Sequence, residues 1–143
     1  MQTFLPYPSF AESARVLDAP RLGKQRVEAF QLLRANTVPG YGWRHHPAAK
    51  MWAGHLPALV AYGLAMTDEW LARGRADTVR AKLLVFAPDV DGVAQEDIPM
   101  PAWLGDEDFH RSHRSNLVRK DPEYYRPLFA DVPDDLPYIW PTP

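Results

Sequence analysis

A glutamate surrounded by cationic and amide side chains is the first feature of this sequence that could do chemistry. A carboxylate in such a setting can act as a general acid or base while its neighbours bind phosphate groups. The alternative is surface ion pairing, since Lys24 and Glu28 are four residues apart and would be neighbours on a helix. Spacing alone leaves both interpretations open. The residues around Glu28 in this stretch are Arg21, Lys24, Gln25 and Arg26.

A second cluster places aromatic, cationic and imidazole side chains on a segment rich in Gly and Pro. Such a segment suits stacking on nucleobases and contact with a nucleic-acid backbone. The alternative is an ordered loop whose Trp43 lies in the core. We do not expect His45 and His46 to bind a metal together, because adjacent side chains diverge. The cluster consists of Tyr41, Trp43, Arg44, His45 and His46.

A third cluster, between residues 109 and 120, is basic and rich in hydroxyl groups. Its two histidines are three residues apart and would share one helix face, but no third metal ligand accompanies them. We therefore expect no metal ion and no cofactor. The composition favours contact with phosphates, although a buried histidine satisfied within the core is the alternative. The candidates are His110, Arg111, His113, Arg114, Arg119 and Lys120.

Length, charge and cysteine content exclude several classes of protein. The 143 residues fit one domain, and the absence of cysteine excludes disulfide scaffolds and Cys-based metal sites. Residues 1–88 contain 11 basic and 6 acidic residues, whereas residues 89–143 contain 5 and 12. A basic face is thus possible on the first part of the chain. The N-terminus lacks the features of a signal peptide and no apolar run is long enough to span a membrane, so we expect a cytoplasmic protein, and no apolar seam demands a partner chain.

The elements that must position these clusters are helical. Ser9 and Glu12 form a capping box that predicts a short helix to about Leu17. Asp18 caps a second helix, which has Pro20 in its first turn and carries Glu28. Further helices are predicted from Pro47 to about 54, from 56 to about 74, from 77 to about 86, from 106 to 120 and from 122 to 125.

The C-terminal part of the sequence differs in kind. Five prolines after Arg126 exclude long regular structure, so residues 126–143 are predicted to form an extended tail that packs on the helices through Tyr138, Ile139 and Trp140. Alternating strand patterns are scarce. The sequence therefore predicts a single compact all-α domain spanning residues 1–143.

The order of these motifs resembles the pyrimidine-dimer DNA glycosylases of the phage endonuclease V type. Leu17-Asp18, Leu22 and Arg26-Val27-Glu28 look like the catalytic-helix motif, and Gly54-His55 with the helix up to Arg73-Gly74 is similar to the central helix. His113, Ser115 and Leu117 with Tyr124-Tyr125 look like the C-terminal helix and aromatic segment. The strings RLGKQRVE and HRSHRS…RKDPEYY resemble more closely an uncharacterised branch common in actinobacteria.

The resemblance implies an all-α enzyme that acts as a monomer on damaged duplex DNA and cleaves the N-glycosidic bond of a damaged pyrimidine. In the family an N-terminal amine attacks the sugar C1′, a helix glutamate assists, and the resulting imine can undergo β-elimination. Motif matching places that glutamate at Glu28. The bulk of Gln2 should prevent removal of Met1, so the amine is expected to be that of Met1.

The resemblance also implies which side chains meet the DNA. The basic residues of the first and third clusters would hold the backbone, and Trp43 or Tyr41 would fill the gap left by an extruded base. Two alternatives stay open on the sequence alone: another nucleoside- or base-processing enzyme on this scaffold, and a noncatalytic module that binds nucleic acid or protein.

Overall fold

Seven α-helices and two short 3₁₀ turns make up the regular structure of the computed structural model, which describes residues 1–141. Within these residues the chain forms no strand, so the all-α prediction is confirmed. The helices are α1 (Phe10–Val16), α2 (Ala19–Thr37), α3 (Pro47–Met51), α4 (Leu56–Ala72), α5 (Arg80–Leu84), α6 (Glu107–Lys120) and α7 (Pro122–Tyr125), and the 3₁₀ turns are Pro88–Val90 and Gln95–Asp97.

Local capping groups start α1, α2 and α6 where the sequence predicts them, whereas the helix predicted from residue 77 begins only at Arg80, where the N-cap residue forms no side-chain hydrogen bond. The Ser9 hydroxyl accepts a hydrogen bond from the Glu12 backbone N–H at 3.1 Å, which caps α1. Asp18 and Asp106 cap α2 and α6 through their carboxylates. Each of these bonds satisfies an N–H that the helix itself leaves unpaired.

Helices α2 and α4 form the centre of the domain and approach each other closely. A Cβ atom at Gly63 of α4 would lie 3.1 Å from the Cβ atom of Ala29 on α2 and 2.8 Å from a methyl group of Leu83. Only glycine leaves room for this contact. The core around the two helices contains large, fully buried aromatic side chains, among them Phe10, Trp52, Tyr62, Phe109 and Tyr125.

The N-terminal segment is buried between α2 and α6 instead of lying on the surface. The Phe4 backbone N–H donates to Gln25 of α2 at 2.8 Å. The Leu5 backbone N–H donates to His113 of α6 at 2.9 Å, and the Leu5 carbonyl accepts from His110 at 2.8 Å. Because its polar backbone groups are satisfied by side chains, this segment can pass through the core without a sheet partner.

The tail lies on α6 but departs from the predicted extended form. Its first residues form turns, with the Phe129 backbone N–H donating to the Tyr125 carbonyl at 2.9 Å. Tyr138 and Trp140 pack against the core. Ile139 does not, because it is 39% exposed, so its prediction as an anchor is wrong. The end of the predicted tail, residues 142–143, lies outside the described residues.

Candidate active site

The chain start, α2, the end of α6 and the tail enclose a cleft of about 410 Å³. It brings together six candidates that were predicted from separate parts of the sequence: Met1, Arg21, Lys24, Gln25, Glu28 and Lys120. The other residues lining it are Gln2, Phe4, Pro20 and Tyr138. The cleft therefore contains one carboxylate among several cationic groups.

Glu28 is half-buried in this cleft. Burial raises the pKa of its carboxyl group above the ordinary value. The positive charge of the chain's terminal amine, a backbone hydrogen bond from Gln2, the charge of Lys24 and a bond from Gln25 act in the opposite direction and do not fully offset burial. A carboxyl group that retains its proton more readily than an exposed glutamate is suited to general acid–base chemistry.

Gln25 connects the carboxylate to the N-terminal segment. Its amide nitrogen donates to a carboxylate oxygen of Glu28 at 2.7 Å and to the backbone carbonyl of Gln2 at 2.9 Å. Its amide oxygen accepts from the Phe4 backbone N–H at 2.8 Å. The fully buried amide of Gln25 therefore bonds both to Glu28, the general acid–base candidate, and to the N-terminal segment, which begins with the terminal amine.

The hydroxyl group of Tyr62 on α4 contacts this amide. Its hydroxyl oxygen lies 2.5 Å from the amide oxygen of Gln25 and 2.9 Å from the carbonyl oxygen of Phe4. Burial, with a further contribution from the charge of Glu28, raises the pKa of Tyr62 well above its ordinary value, so the phenol remains a neutral donor. Tyr62 is not among the site residues predicted from the sequence, because nothing in the sequence of α4 distinguishes a tyrosine that only packs from one that also donates a hydrogen bond.

Comparison with known families decides the identity of the scaffold. A sequence profile described as pyrimidine dimer DNA glycosylase matches residues 1–83. The chain belongs to the pyrimidine dimer DNA glycosylase family. The matched part contains the N-terminal segment and Glu28, whereas α6 and the tail lie beyond it. Comparisons with curated proteins and with solved structures find no match.

The aromatic loop before α3 does not line the cleft, but its last residue, His46, is close enough to the terminal amine to be affected by its charge. His46 caps α3 by accepting from the Ala48 backbone N–H at 3.0 Å. Its pKa is lowered, first by burial and second by the positive charge of the terminal amine. Trp43 is 44% exposed, so the alternative that it lies in the core is wrong. Tyr41 packs against the core, with the Arg34 guanidinium 5.2 Å from its ring centre.

The structure corrects the prediction that His110 and His113 bind DNA. Both imidazoles are fully buried and hold the Leu5 backbone. Burial lowers the pKa of His113 to about 3, with a smaller contribution from His110, and burial also lowers the pKa of His110. A fully buried neutral ring contacts neither phosphate nor base, so these histidines are part of the structural framework of this family member.

One further DNA-binding prediction is wrong for the same reason. Gln25 is 1% exposed and uses its amide inside the protein, so it presents no free group to a phosphate. The side chain of Arg26 is 13% exposed, forms an ion pair with Asp77, and places its guanidinium 4.5 Å from the centre of the Trp70 ring. Its predicted contact with DNA remains a prediction.

The remaining basic candidates differ in their surroundings. Arg114 forms an ion pair with Glu107 and donates to the Pro6 carbonyl at 2.8 Å, while Arg119 donates to Asn116 in the framework that holds the tail. Their predicted contact with DNA remains a prediction. So does that of the exposed candidates Arg44, His45 and Arg111.

Proposed function

We propose that this protein cleaves the N-glycosidic bond of one pyrimidine of a dimer in duplex DNA and then cleaves the strand, with the Met1 amine as nucleophile and Glu28 as general acid–base group. One observation carries the proposal: both groups line the same cleft, and the charge of the amine acts directly on the carboxyl group. The family membership supports the glycosylase step. The residue roles and the lyase step are our inference.

In the first step the amine nitrogen donates its lone pair to C1′ of the damaged nucleotide. The C1′–N bond to the base breaks, and its electron pair leaves with the base, which takes up a proton. An α-amino group suits this role because it loses its proton at lower pH than a lysine ammonium group. The attacking nitrogen then carries one more bond and releases a proton.

The second step opens the sugar. The nitrogen lone pair forms a C1′=N double bond as the C1′–O4′ bond breaks, and O4′ takes up a proton that Glu28 can supply. The same carboxylate can then remove a proton from C2′, after which the electron pair of that C–H bond expels the 3′ phosphate. Water finally releases the protein from the imine. A carboxyl group with a raised pKa can serve in both directions of proton transfer.

The charges of the cleft fit a polyanionic substrate. Arg21, Lys24 and Lys120 line it, and the guanidinium of Arg21 lies 3.2 Å from the carboxylate of Asp18. Contacts of this kind position the DNA backbone without reading sequence. They would place the sugar next to the amine, while Gln25 fixes the position of the Glu28 carboxylate relative to the N-terminal segment.

Borohydride trapping on a duplex with a single cyclobutane thymine dimer tests the proposal. We expect scission of one N-glycosidic bond of the dimer, with the cleaved base still joined to its neighbour through the cyclobutane ring, and a reduced covalent adduct, which peptide mass spectrometry locates at the Met1 amine. An undamaged duplex and protein with an acetylated N-terminus are the controls, and neither should yield the adduct. Glycosidic cleavage without any adduct would remove the lyase step, whereas absence of glycosidic cleavage would contradict the glycosylase assignment for this protein.

A further inference from the structure

A row of four aromatic rings leads from the cleft to the surface. Tyr138 lines the cleft, and its ring centre lies 5.6 Å from that of Trp140. Trp140 meets His46 at 5.8 Å, and His46 meets Trp43 at 5.8 Å. We call these four residues the aromatic row. It joins the tail to the loop before α3, two segments that are about 90 residues apart in the sequence.

Packing of the core accounts for only part of this row. Tyr138 and Trp140 pack against the core but are only partly buried, and Trp43 is 44% exposed. The tail is already held by α6, since Ser115 accepts from the Leu136 backbone N–H at 3.0 Å. Aromatic surface left in water at the edge of a cleft is typical of a binding surface.

The electrostatics of the protein favour stacking as a source of affinity. The chain has a net charge of −2, with its acidic excess in residues 89–143. Phosphate contacts alone would therefore give weak binding. The His46 ring, whose pKa is lowered by burial and by the terminal amine, is a neutral ring that can take part in stacking. Bases stack on aromatic side chains whatever the sequence, at about 1–3 kcal/mol per base.

We propose that the aromatic row binds consecutive unpaired nucleotides, so that the protein engages single-stranded DNA more tightly than undamaged duplex. The site takes unstacked bases on its rings and leads the strand to the cleft, where Lys24 and Lys120 meet the backbone. In a duplex substrate the same rings receive the nucleotides that are extruded around a lesion. The role in lesion processing rests on the proposed function, whereas the binding of single strands does not.

Fluorescence titration of the full chain with a labelled oligothymidylate of about 12 nucleotides, and with an undamaged duplex of the same length, tests the inference. Trp43→Ala and Trp140→Ala should each weaken binding of the single strand by about 5-fold or more, which corresponds to one stacked base. Trp43→Phe and Trp140→Phe should restore part of it. Leu128→Ala, which removes a side chain of similar exposure elsewhere on the surface, should bind like the wild type.

The outcomes separate this inference from the proposed enzyme activity. Equal binding by the wild type and both tryptophan-to-alanine variants, or tighter binding of the duplex, would overturn the inference even if glycosidic cleavage is observed. Loss of single-strand binding in folded variants would support it even if no glycosidic bond is cleaved.

Discussion

Helices α2 and α6 are both rich in polar residues, but several of those of α2 face the cleft, whereas many of those of α6 face the protein interior. The polar residues of α2 that face the cleft include Arg21, Lys24 and Glu28. In α6 the corresponding polar residues point inward and bind the backbone of the two ends of the chain. His110 and His113 hold the N-terminal segment, and Ser112, Ser115 and Asn116 hold the tail.

The difference lies in what each helix has to satisfy. The N-terminal segment and the tail have no sheet partner in the described residues, so their buried N–H and C=O groups need side chains as partners. Helix α6 supplies them at a spacing of three residues, which explains the repeated order of His and Ser in its sequence. On α2 the side chain of Gln25 bonds to the backbone of the N-terminal segment. The other polar residues of this face, Arg21, Lys24 and Glu28, line the cleft.

The largest expected effect is on the reaction rate, and it comes from a residue of α2. Glu28→Gln should lower the rate of N-glycosidic bond cleavage by about 100- to 10,000-fold, the range for loss of a general acid–base group. A raised carboxyl pKa means that this group adds stability only at low pH and loses that contribution as the pH rises through its folded-state value. The melting temperature at pH 7 should therefore stay the same or rise.

Glu12→Gln is the matched control for this experiment, since Glu12 is an exposed carboxylate on α1. Single-turnover kinetics on dimer-containing duplex and thermal unfolding of each variant provide the measurements. Wild-type turnover by Glu28→Gln would remove the residue from the mechanism.

The corresponding change on α6 should affect stability and leave the chemistry intact. His113→Ala creates a cavity and leaves the buried Leu5 N–H without an acceptor, so the free energy of unfolding should fall by about 3 kcal/mol. The folded fraction should bind DNA with wild-type affinity. Urea unfolding and DNA titration of the same preparation measure the two quantities, and weaker DNA binding at full stability would contradict the framework role.

Gln25 bonds both to Glu28 and to the buried N-terminal segment, so its replacement should affect both activity and stability. Gln25→Leu keeps the approximate volume but removes the bonds to Gln2, Phe4 and Glu28. We expect about 2 kcal/mol lower stability and about a tenfold lower kcat at unchanged KM, since the amine and carboxylate lose their alignment. Tyr62→Phe, which removes one bond to the same amide, should show the smaller effect in both assays. An unchanged kcat in a folded Gln25→Leu protein would show that Gln25 is structural only.

The buried imidazole of α6 predicts a loss of stability in acid. The pKa of His113 is about 3 in the folded protein and near 6.5 in an unfolded chain. Between these values the unfolded state binds a proton that the folded state excludes, so stability falls as the pH decreases. The slope from this residue is about 1.4 kcal/mol per pH unit. His113→Asn, which keeps an acceptor for Leu5, should flatten the profile between about pH 6.5 and pH 4 by this amount, as measured by urea unfolding at each pH.

The smallest expected effect compares one exposed cation from each helix. Lys24→Gln removes a charge from the cleft and should weaken binding of dimer-containing duplex a few fold, with a salt dependence lower by about one unit of slope. Arg111→Gln removes an exposed charge from α6 that does not line the cleft, so both quantities should change less than they do in Lys24→Gln. Fluorescence anisotropy between about 50 and 200 mM salt measures both, and equal losses would place α6 on the DNA.

Helix starts could be predicted from the sequence because the interactions that set them are local. Ser9, Asp18 and Asp106 each bond to a backbone N–H two or three residues away, so a short window of sequence contains both partners. The candidate carboxylate was accessible for the same reason, since Glu28 and Lys24 lie on one turn of one helix. The prediction for the histidines of α6 was wrong because the sequence does not state whether the partner of a polar group is solvent, DNA or buried backbone.

The sequence by itself determined an all-α chain, the starts of its principal helices, and a glutamate among cations on the second of them. Only the tertiary structure decided that Met1 and Glu28 line one cleft, that Tyr62 contacts Gln25, and that Trp140 contacts His46. These contacts join residues that are tens of residues apart, and they depend on how the helices pack rather than on any local preference. Periodicity and capping act within a few residues, whereas the geometry of a cleft is a property of the packed chain.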